Sequence, residues 1–250
     1  MNFKNAVITI ILLSAAGAFY AWRRRQSLDS AAAPEADPTS TPTVLESIGQ
    51  SVADALPAID QLPGVDAWMQ SNQAETDAKV QAMIQTIDTD ANVRAFLQTI
   101  AKSEGTANSA DPYRVCFGLK HTIADMSDHP AVTGEWKGEK LSDYLCQKAG
   151  YGPGCVSTAA GKYQITKPTW LKLKSQLKLH DFGPESQDAA AVELLNETGA
   201  LESIKAGYLT LAISKAKRTW ASLPGAGYGQ PERSMNFLTG EFVNAGGRLA

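Results

Sequence analysis

The chain has 250 residues, of which 44 % are hydrophobic and 20 % are charged, so it can form one sizeable core and is neither a polytopic membrane protein nor wholly disordered. Its net charge of −3 is divided unevenly, because residues 1–90 carry 5 basic and 11 acidic side chains whereas residues 91–250 carry 18 and 15. The body lacks the clustered basic stripe that neutralises phosphates, and we therefore expect no nucleic acid as a partner.

Residues 6–22 form an uncharged stretch that would be about 25 Å long as a helix, the lower limit for crossing a bilayer. This stretch predicts a membrane anchor over residues 1–26. A cleaved signal peptide is the alternative, because Lys4 gives a short basic region and small residues flank Gly17. Arg23 to Arg25 argue against cleavage, but by the positive-inside rule they favour a cytoplasmic body. The orientation therefore stays open.

Residues 27–66 are acidic and rich in proline and alanine, a composition that predicts a flexible linker. Within and after it, apolar residues recur at helical spacing, which predicts two amphipathic helices that pack on the body or on a partner. The first uses Val44, Leu45, Ile48, Val52 and Leu56, and the second, a linking helix over residues 67–90, uses Val80, Met83, Ile84 and Ile87.

Residues 91–250 form the predicted body, which opens with a helix over residues 91–103. Asp90 or Asn92 is its N-terminal cap and Gly105 is its end. Proline and glycine signals predict further helices over residues 166–177, 184–195, 208–223 and 231–244. Residues 106–165 show no sustained helical period, so the predicted class is α+β and mainly helical.

Glu104 is the first candidate for chemistry, because it is the last side chain before Gly105 ends this helix. The negative end of the helix dipole and burial beside Phe96 or Ile100 would both raise the pKa of its carboxyl. A carboxyl that stays protonated near neutral pH can protonate a glycosidic oxygen as the bond to it breaks. An exposed glutamate in a last turn is the alternative from position alone.

Six short stretches of the body, in this order, resemble the lambda-type phage lysozyme (endolysin) family. They are Asn92-Val93-Arg94-Ala95-Phe96-Leu97, Ser103-Glu104-Gly105-Thr106, Ser127-Asp128-His129-Pro130, Ala160-Gly161-Lys162-Tyr163-Gln164, Ser186-Gln187-Asp188-Ala189 and the run from Trp220 to Gln230. The resemblance covers about residues 91–247 and leaves the first 90 residues untouched. It is weakest over residues 130–158, where a loop and a basic stretch are longer than in the family pattern.

The resemblance implies a lysozyme-like, two-lobed catalytic domain over residues 91–250 and lytic transglycosylase activity on peptidoglycan. Glu104 would protonate the oxygen between N-acetylmuramic acid and N-acetylglucosamine. As a carboxylate it would then take the proton of the C6 hydroxyl, which attacks C1 and closes a 1,6-anhydro ring. No cofactor is implied.

A hydrolytic muramidase of the same fold is the nearest alternative, since hydrolysis normally needs a second carboxylate. A transglycosylase can dispense with that carboxylate, because its nucleophile is tethered in the substrate. Asp111, Asp125 and Asp128 are the candidates, and for each a structural role in a loop or turn is the simpler interpretation.

The candidate substrate-binding residues lie within these sequence stretches, except for Asp125. Tyr163 and Gln164 match the family pattern Gly-x-Tyr-Gln, which implies an aromatic face and an amide for sugar rings. The full set is Asp125, Asp128, His129, Tyr163, Gln164 and Tyr228. For His129 the alternative is a hydrogen-bonding loop residue, and Trp170 and Trp220 fall at core spacing.

Cysteine and histidine spacing carries less information. Cys146 and Cys155 flank eight residues with three glycines and a proline, so a disulfide can close there, and it would indicate an oxidising compartment. Three free thiols are the alternative. The three histidines are too scattered for a zinc site, and we predict no metal.

The sequence as a whole predicts a phage or prophage wall-degrading enzyme whose partner is the peptidoglycan glycan strand. The predicted location is a host inner membrane or a virion membrane, held through residues 6–22, with the catalytic domain acting in the periplasm. Host lysis and wall penetration during infection are both compatible with it, and other virion proteins are candidate partners. A non-catalytic wall-binding virion module on the same scaffold is the alternative from another class.

Overall fold

Helices make up most of residues 65–250, the part of the chain that the computed structural model describes. In chain order they are α1 (Val65–Thr89), α2 (Ala91–Ser103), α3 (Pro130–Thr133), α4 (Asp143–Lys148), α5 (Lys167–Leu177), α6 (Pro184–Glu197), α7 (Leu201–Lys205), α8 (Leu209–Ala216) and α9 (Met235–Asn244). Three 3-10 helices, Thr106–Asn108, Pro112–Arg114 and Phe117–Leu119, follow α2. A two-stranded antiparallel sheet joins β1 (Glu139–Lys140) to β2 (Val156–Ser157). The predicted mainly helical α+β class is confirmed.

Helix α2 is the central helix of the core, and its sequence explains both of its ends. The Asp90 carboxylate accepts hydrogen bonds from the backbone N–H groups of Asn92 and Val93, which otherwise lack partners in the first turn. Gly105 ends the helix in the left-handed region at φ +82°. Between these ends the inner face of the helix is buried, as helical spacing of apolar residues predicts. The cap, the range and the end predicted for this helix are all confirmed.

Helix α1 packs on the body through the apolar stripe at residues 80–87, with Met83 only 7 % exposed. A polar contact joins it to α6, where Glu193 accepts hydrogen bonds at 2.7 Å from Lys79 of α1 and from Gln176 of α5. The Glu193 side chain is 3 % exposed, so these donors satisfy a carboxylate that is almost dry. Helix α1 therefore belongs to the same compact unit as the rest of residues 65–250.

Two helices near the C-terminus are shorter than their sequence pattern predicts. Helix α8 ends at Ala216 rather than near residue 223, because the next turns place Trp220 and Ser222 against the body instead of continuing the helix. Helix α9 begins at Met235 rather than at residue 231. Ser234 is its N-terminal cap and accepts a hydrogen bond from the Phe237 backbone. The residues released from both helices contribute to the site described below.

The loop-rich segment between α2 and α5 is closed by a disulfide between Cys146 of α4 and Cys155, which directly precedes β2. The Cα atoms of the two cysteines are 5.7 Å apart. Cys116 is buried and unpaired. Burial raises the pKa of its thiol to about 12, so Cys116 is an inert core residue.

The predicted membrane-anchored location is corrected by the structure. Within residues 65–250 no helix is both long enough and apolar enough to cross a membrane. The 25 residues of α1 would be long enough, but that helix carries exposed polar side chains along most of its length. The proposed anchor at residues 6–22 and the linker before residue 65 lie outside the described residues.

Candidate active site

Glu104 lies where α2 ends, with its backbone N–H bonded to the Ile100 carbonyl at 2.9 Å and Gly105 turning the chain away. Its side chain is mostly buried but partly exposed to solvent. A group in this position can meet a bound molecule while the protein shields it from most of the water.

Burial raises the pKa of the Glu104 carboxyl, since the charged form loses hydration. Hydrogen bonds from the side chain and backbone of Ser222 act in the opposite direction, as does the positive charge of Arg233. The direction agrees with the pKa expected from the sequence. Burial, one of the two causes expected from the sequence, is the main one.

Two buried serines form a hydrogen-bond chain with Glu104, in which Ser222 contacts the carboxyl and Ser103 contacts Ser222. Ser222 Oγ lies 2.6 Å from Glu104 Oε1, and Ser103 Oγ lies 2.6 Å from Ser222 Oγ. Ser103 Oγ is in turn 3.1 Å from the Ile100 carbonyl oxygen. The side chains are therefore joined in one chain of short hydrogen bonds that ends on the backbone of α2.

Arg233 holds the two serines together from the segment that precedes α9. Its backbone N–H donates to the Ser222 carbonyl at 2.8 Å, and its guanidinium Nε donates to the Ser103 carbonyl at 3.2 Å. The guanidinium also lies over the Phe237 ring, 5.2 Å from its centroid. A cation at the end of α2 stabilises the free carbonyl groups there. Arg233 therefore binds both serines, Ser103 through its side chain and Ser222 through its backbone.

The turn Gly161–Gln164 is held beside α2 by Gln187 of α6 and by Thr106. The fully buried amide of Gln187 accepts a hydrogen bond from the Lys162 backbone, and Thr106 Oγ1 donates to the Lys162 carbonyl at 2.6 Å. Gly161 has φ +75°, and a Cβ there would lie 2.1 Å from the Gln187 amide oxygen. Only glycine fits at this position, which explains the Gly161 of the family pattern.

A half-buried polar cluster lies behind this turn. Asp188 of α6 accepts hydrogen bonds from the hydroxyls of Tyr163, at 2.6 Å, and Tyr113, at 3.0 Å. The Lys162 ammonium donates to the Tyr113 hydroxyl at 2.9 Å and lies 3.7 Å from Asp188. Burial, together with the Asp188 charge, raises the pKa of both tyrosines, so both remain hydrogen-bond donors.

Asp128 and His129, both predicted to bind substrate, are structural in this fold. Asp128 accepts hydrogen bonds from the Trp170 indole at 2.7 Å and from Lys174 at 2.6 Å. His129 is fully buried, with Nδ1 accepting from the Ala131 backbone and Nε2 donating to the Ile165 carbonyl. Burial lowers the pKa of the His129 imidazole to about 4. The predicted glycan contact of His129 is therefore corrected, because the ring is out of reach and both nitrogens are engaged.

The other candidate carboxylates form local turns. Asp125 is exposed, and hydrogen bonds from the side chain and the backbone of Ser127, the latter at 2.8 Å, lower the pKa of its carboxyl. Asp111 accepts one from the Tyr113 backbone at 3.0 Å and caps the 3-10 helix Pro112–Arg114. Neither these residues nor Asp128 has a contact with Glu104. The structure thus brings no predicted second carboxylate to the candidate acid.

Of the remaining predicted contacts, Tyr163 is buried and Gln164 and Tyr228 are partly exposed. Tyr163 is 1 % exposed and bonded to Asp188, so its ring supports the turn and is not offered to a sugar as predicted. Gln164 has the strained φ of +51° in the same turn. Tyr228 donates to the Arg218 carbonyl at 2.9 Å. Its loop is held by Glu232, whose carboxylate accepts from the backbone of Gly225 and Gly227.

Sequence reasoning did not assign roles to several residues of this site. They are Ser103, Lys162, Gln187, Asp188, Ser222, Glu232 and Arg233. All but the last two lie within the stretches quoted for the family resemblance, which was the available signal. Their roles depend on contacts between distant parts of the chain, such as the 118 residues that separate Glu104 from Ser222.

The described residues contain no group of three or more His, Cys, Asp or Glu side chains placed to hold a metal ion. Two of the three histidines have other partners. His121 lies 2.8 Å from the Glu135 carboxylate, and His129 is in the core. The chemistry that this arrangement can perform is proton transfer by one carboxyl group.

Comparisons with known proteins agree with this arrangement. A family model described as Endolysin matches residues 94–249. The endolysin of Escherichia phage P2 is 39 % identical over 148 residues, 59 % of this chain and 88 % of the relative. The endolysin of Escherichia phage lambda is 40 % identical over 155 residues, 60 % of this chain and 88 % of the relative.

Solved structures show the same likeness. Bacteriophage lambda lysozyme complexed with a chitohexasaccharide is 37 % identical, with a TM-score of 0.54 and coverage of 64 % of this chain and 97 % of that one. A second structure of lysozyme from bacteriophage lambda is 36 % identical, with a TM-score of 0.51 and the same coverage. These matches confirm the resemblance and the lysozyme-like fold expected from the sequence. The chain therefore belongs to the endolysin family.

Proposed function

We propose that this endolysin is a lytic transglycosylase that cleaves between N-acetylmuramic acid and N-acetylglucosamine with Glu104 as the single acid and base. Membership of the family makes the chain an enzyme that degrades peptidoglycan, so the proposal concerns the kind of cleavage. One observation carries it: a mostly buried, partly exposed carboxyl of raised pKa ends α2, and no candidate second carboxylate contacts it.

The reaction begins with Glu104 protonated. Its proton passes to the glycosidic oxygen as the bond from that oxygen to C1 of the muramic acid breaks. The resulting carboxylate takes the proton of the C6 hydroxyl of the same sugar, whose oxygen forms a bond to C1. Glu104 ends the turnover protonated, and no water is consumed.

A tethered nucleophile explains how one carboxylate suffices. The C6 hydroxyl is already in the substrate, so its high effective molarity replaces the water that a second carboxylate would activate. In hydrolysis that second carboxylate acts as a nucleophile or as a base at a defined distance from the acid. Asp111, Asp125 and Asp128 are all engaged in local contacts instead, which supports the transglycosylase over the muramidase.

A glycan substrate is also supported by the relatives. The lambda lysozyme, which shares 37 % of its residues with this chain, has been solved in complex with a chitohexasaccharide. We infer that this chain binds N-acetylated glycan strands at the end of α2 where Glu104 lies. Of the two biological uses considered, membership of the endolysin family favours host lysis.

The test compares the digestion of purified sacculi by the wild type, by Glu104→Gln and by Glu202→Gln. We expect Glu104→Gln to lower the rate at least a hundredfold, because general acid catalysis contributes roughly that much. Glu202 is a matched control, since its side chain is 80 % exposed on α7 and it should retain the wild-type rate. A wild type that binds sacculi without cleaving them would instead indicate a wall-binding module.

A further inference from the structure

The number of hydrogens in the hydrogen-bond chain at Glu104 depends on whether the carboxyl is protonated. Ser222 and Ser103 each carry one hydroxyl hydrogen. The oxygen atoms of Glu104, Ser222, Ser103 and Ile100 are joined in that order by distances of 2.6, 2.6 and 3.1 Å. Three links therefore share two hydroxyl hydrogens, plus a third hydrogen only when Glu104 is protonated.

With Glu104 protonated, all three links are filled in one direction. Before substrate binds, the carboxyl donates to Ser222, Ser222 donates to Ser103, and Ser103 donates to the Ile100 carbonyl. The carboxyl has a single hydrogen, which must leave Ser222 and point at the glycosidic oxygen for the acid step. With Glu104 ionised, the direction reverses, so that Ser103 donates to Ser222 and Ser222 donates to the carboxylate. The Ile100 carbonyl is satisfied in either case, because it also accepts the Glu104 backbone N–H at 2.9 Å.

We propose that Ser222 and Ser103 are positioning residues that reverse their hydrogen-bond direction during each turnover and so hold Glu104 in place in both of its charge states. This inference rests on the proposed function, in which Glu104 acts first as an acid and then as a base. The backbone N–H of Ser222 is a fixed donor to Glu104 and favours the carboxylate. A hydroxyl can donate to the carboxylate or accept from the acid, so only the hydroxyls can adapt to both states. Two rotating hydroxyls serve both states without moving a heavy atom.

The residues around Ser103 and Ser222 shield the two hydroxyls from water and hold their backbone in place. Ser103 is 3 % and Ser222 is 8 % exposed, so bulk water competes little for the hydroxyls. Arg233 binds the carbonyl groups of both serines and is the charged side chain that acts on Glu104. The other nearby cations face elsewhere, since Lys102 turns to Asn108 and Lys162 turns to Tyr113 and Asp188.

Single substitutions in the pair have opposite expected effects on the pH profile. The rate of the proposed reaction falls as the pH rises past the pKa of Glu104, because the turnover begins with the acid. In Ser103→Ala the Ser222 hydroxyl has only Glu104 to donate to, which favours the carboxylate and moves this fall to lower pH by about one unit. In Ser222→Ala the carboxylate loses its side-chain donor and keeps only the Ser222 backbone N–H, which moves the fall to higher pH by a similar amount.

The experiment measures the rate of sacculus cleavage from acid to alkaline pH for both variants. Ser222→Ala should also lower the maximal rate about tenfold or more, because the carboxyl loses its main side-chain contact. Ser222→Thr keeps the hydroxyl and should recover most of that rate. Ser203→Ala is the control, since Ser203 is also buried but lies in α7 and bonds to Lys215.

If the pH at which the cleavage rate falls moves in opposite directions in the two alanine variants, the proposed role of the two serine hydroxyls is supported. A wild-type profile in Ser222→Ala, movement in the same direction in both variants, or no recovery with threonine would overturn it. If Ser222→Ala fails to fold, the expected movement to lower pH in Ser103→Ala still decides the matter. Reducing muramic ends in the wild-type digest would defeat the proposed function separately, without affecting these pH comparisons.

Discussion

Glu104 combines two properties that conflict in an ordinary surface glutamate. Its carboxyl is sufficiently buried for the pKa to rise, yet part of the side chain remains exposed at the end of α2. Ionisation in that position costs folding free energy, because the charge loses hydration that Ser222 and Arg233 only partly replace. The residue is therefore expected to lower the stability of the fold in its charged state.

Glu104→Gln should for this reason be more stable than the wild type at neutral pH. A carboxyl whose folded-state pKa lies above its ordinary value of 4.5 contributes stability below that value and loses it as the pH rises through the folded-state pKa. We expect a gain of about 1 kcal/mol in the free energy of unfolding at pH 7, which vanishes near pH 4. Urea unfolding at both pH values measures it, and a variant no more stable than the wild type at pH 7 would refute this interpretation.

For His129 the stability changes with pH in the opposite direction. Its pKa falls from 6.5 to about 4 on folding, because the buried ring resists protonation. The stability that it contributes is present above about pH 6.5 and is lost as the pH falls to 4, by about 3 kcal/mol over that interval. His129→Gln should start from a lower stability but decline less steeply between these pH values. Equal slopes in urea unfolding series would show that His129 does not cause the acid sensitivity.

Glu104 could be predicted from the sequence, whereas its partners could not. The signals for its position are local: an Asp90 cap, apolar residues at helical spacing and a terminal glycine. Ser222 reaches Glu104 across 118 residues, and no local pattern encodes such a contact. The burial of Tyr163 and His129 could not be predicted for the same reason, since an aromatic residue or a histidine looks alike in sequence whether it is buried or exposed.

At the scale of elements, most bounds of the predicted helices agree with the structure, whereas the end of α8 and the start of α9 do not. Proline and capping residues mark the beginnings of α5 and α6, and the structure places both as expected. Helix α8 stops early, because the indole of Trp220 donates to the Tyr163 carbonyl and Ser222 turns to Glu104. Tertiary contacts outweigh a weak local preference there.

Helix α1 should contribute to stability through one side of its surface only. Met83 is 7 % exposed and packs on the core, whereas Met69 on the same helix is 44 % exposed. We expect Met83→Ala to lower the free energy of unfolding by about 2 kcal/mol, since it removes buried surface and leaves a cavity. Met69→Ala should change it by less than about 0.5 kcal/mol. Equal effects in a denaturant titration would mean that α1 does not pack as described.

The disulfide between Cys146 and Cys155 should stabilise the loop-rich segment between α4 and β2. Replacing both cysteines by serine is expected to lower the free energy of unfolding by about 2 to 3 kcal/mol, mainly because the unfolded chain becomes less restricted. The wild type in a reducing agent should match the double variant, and the double variant should not respond to that agent. A wild type whose unfolding is indifferent to reduction would argue against this role.

For the molecule as a whole, composition and short sequence stretches predicted the fold class and the family, and the N-terminal hydropathy predicted a location that the structure does not support. The family stretches succeeded because they contain residues fixed by contacts, such as Gly161 against Gln187. The predicted location is corrected because no helix of residues 65–250 can cross a membrane. The stretch at residues 6–22, on which that prediction rested, lies outside the described residues.

The most direct test of the central claim is the mass of the muropeptides that the wild type releases from sacculi digested in water labelled with heavy oxygen. If Glu104 alone cuts the glycan by way of its own C6 hydroxyl, the new muramic ends are anhydro, lighter by one water, and carry no heavy oxygen. Reducing muramic ends that contain one heavy oxygen atom would contradict the claim, because they would require a water molecule as the nucleophile.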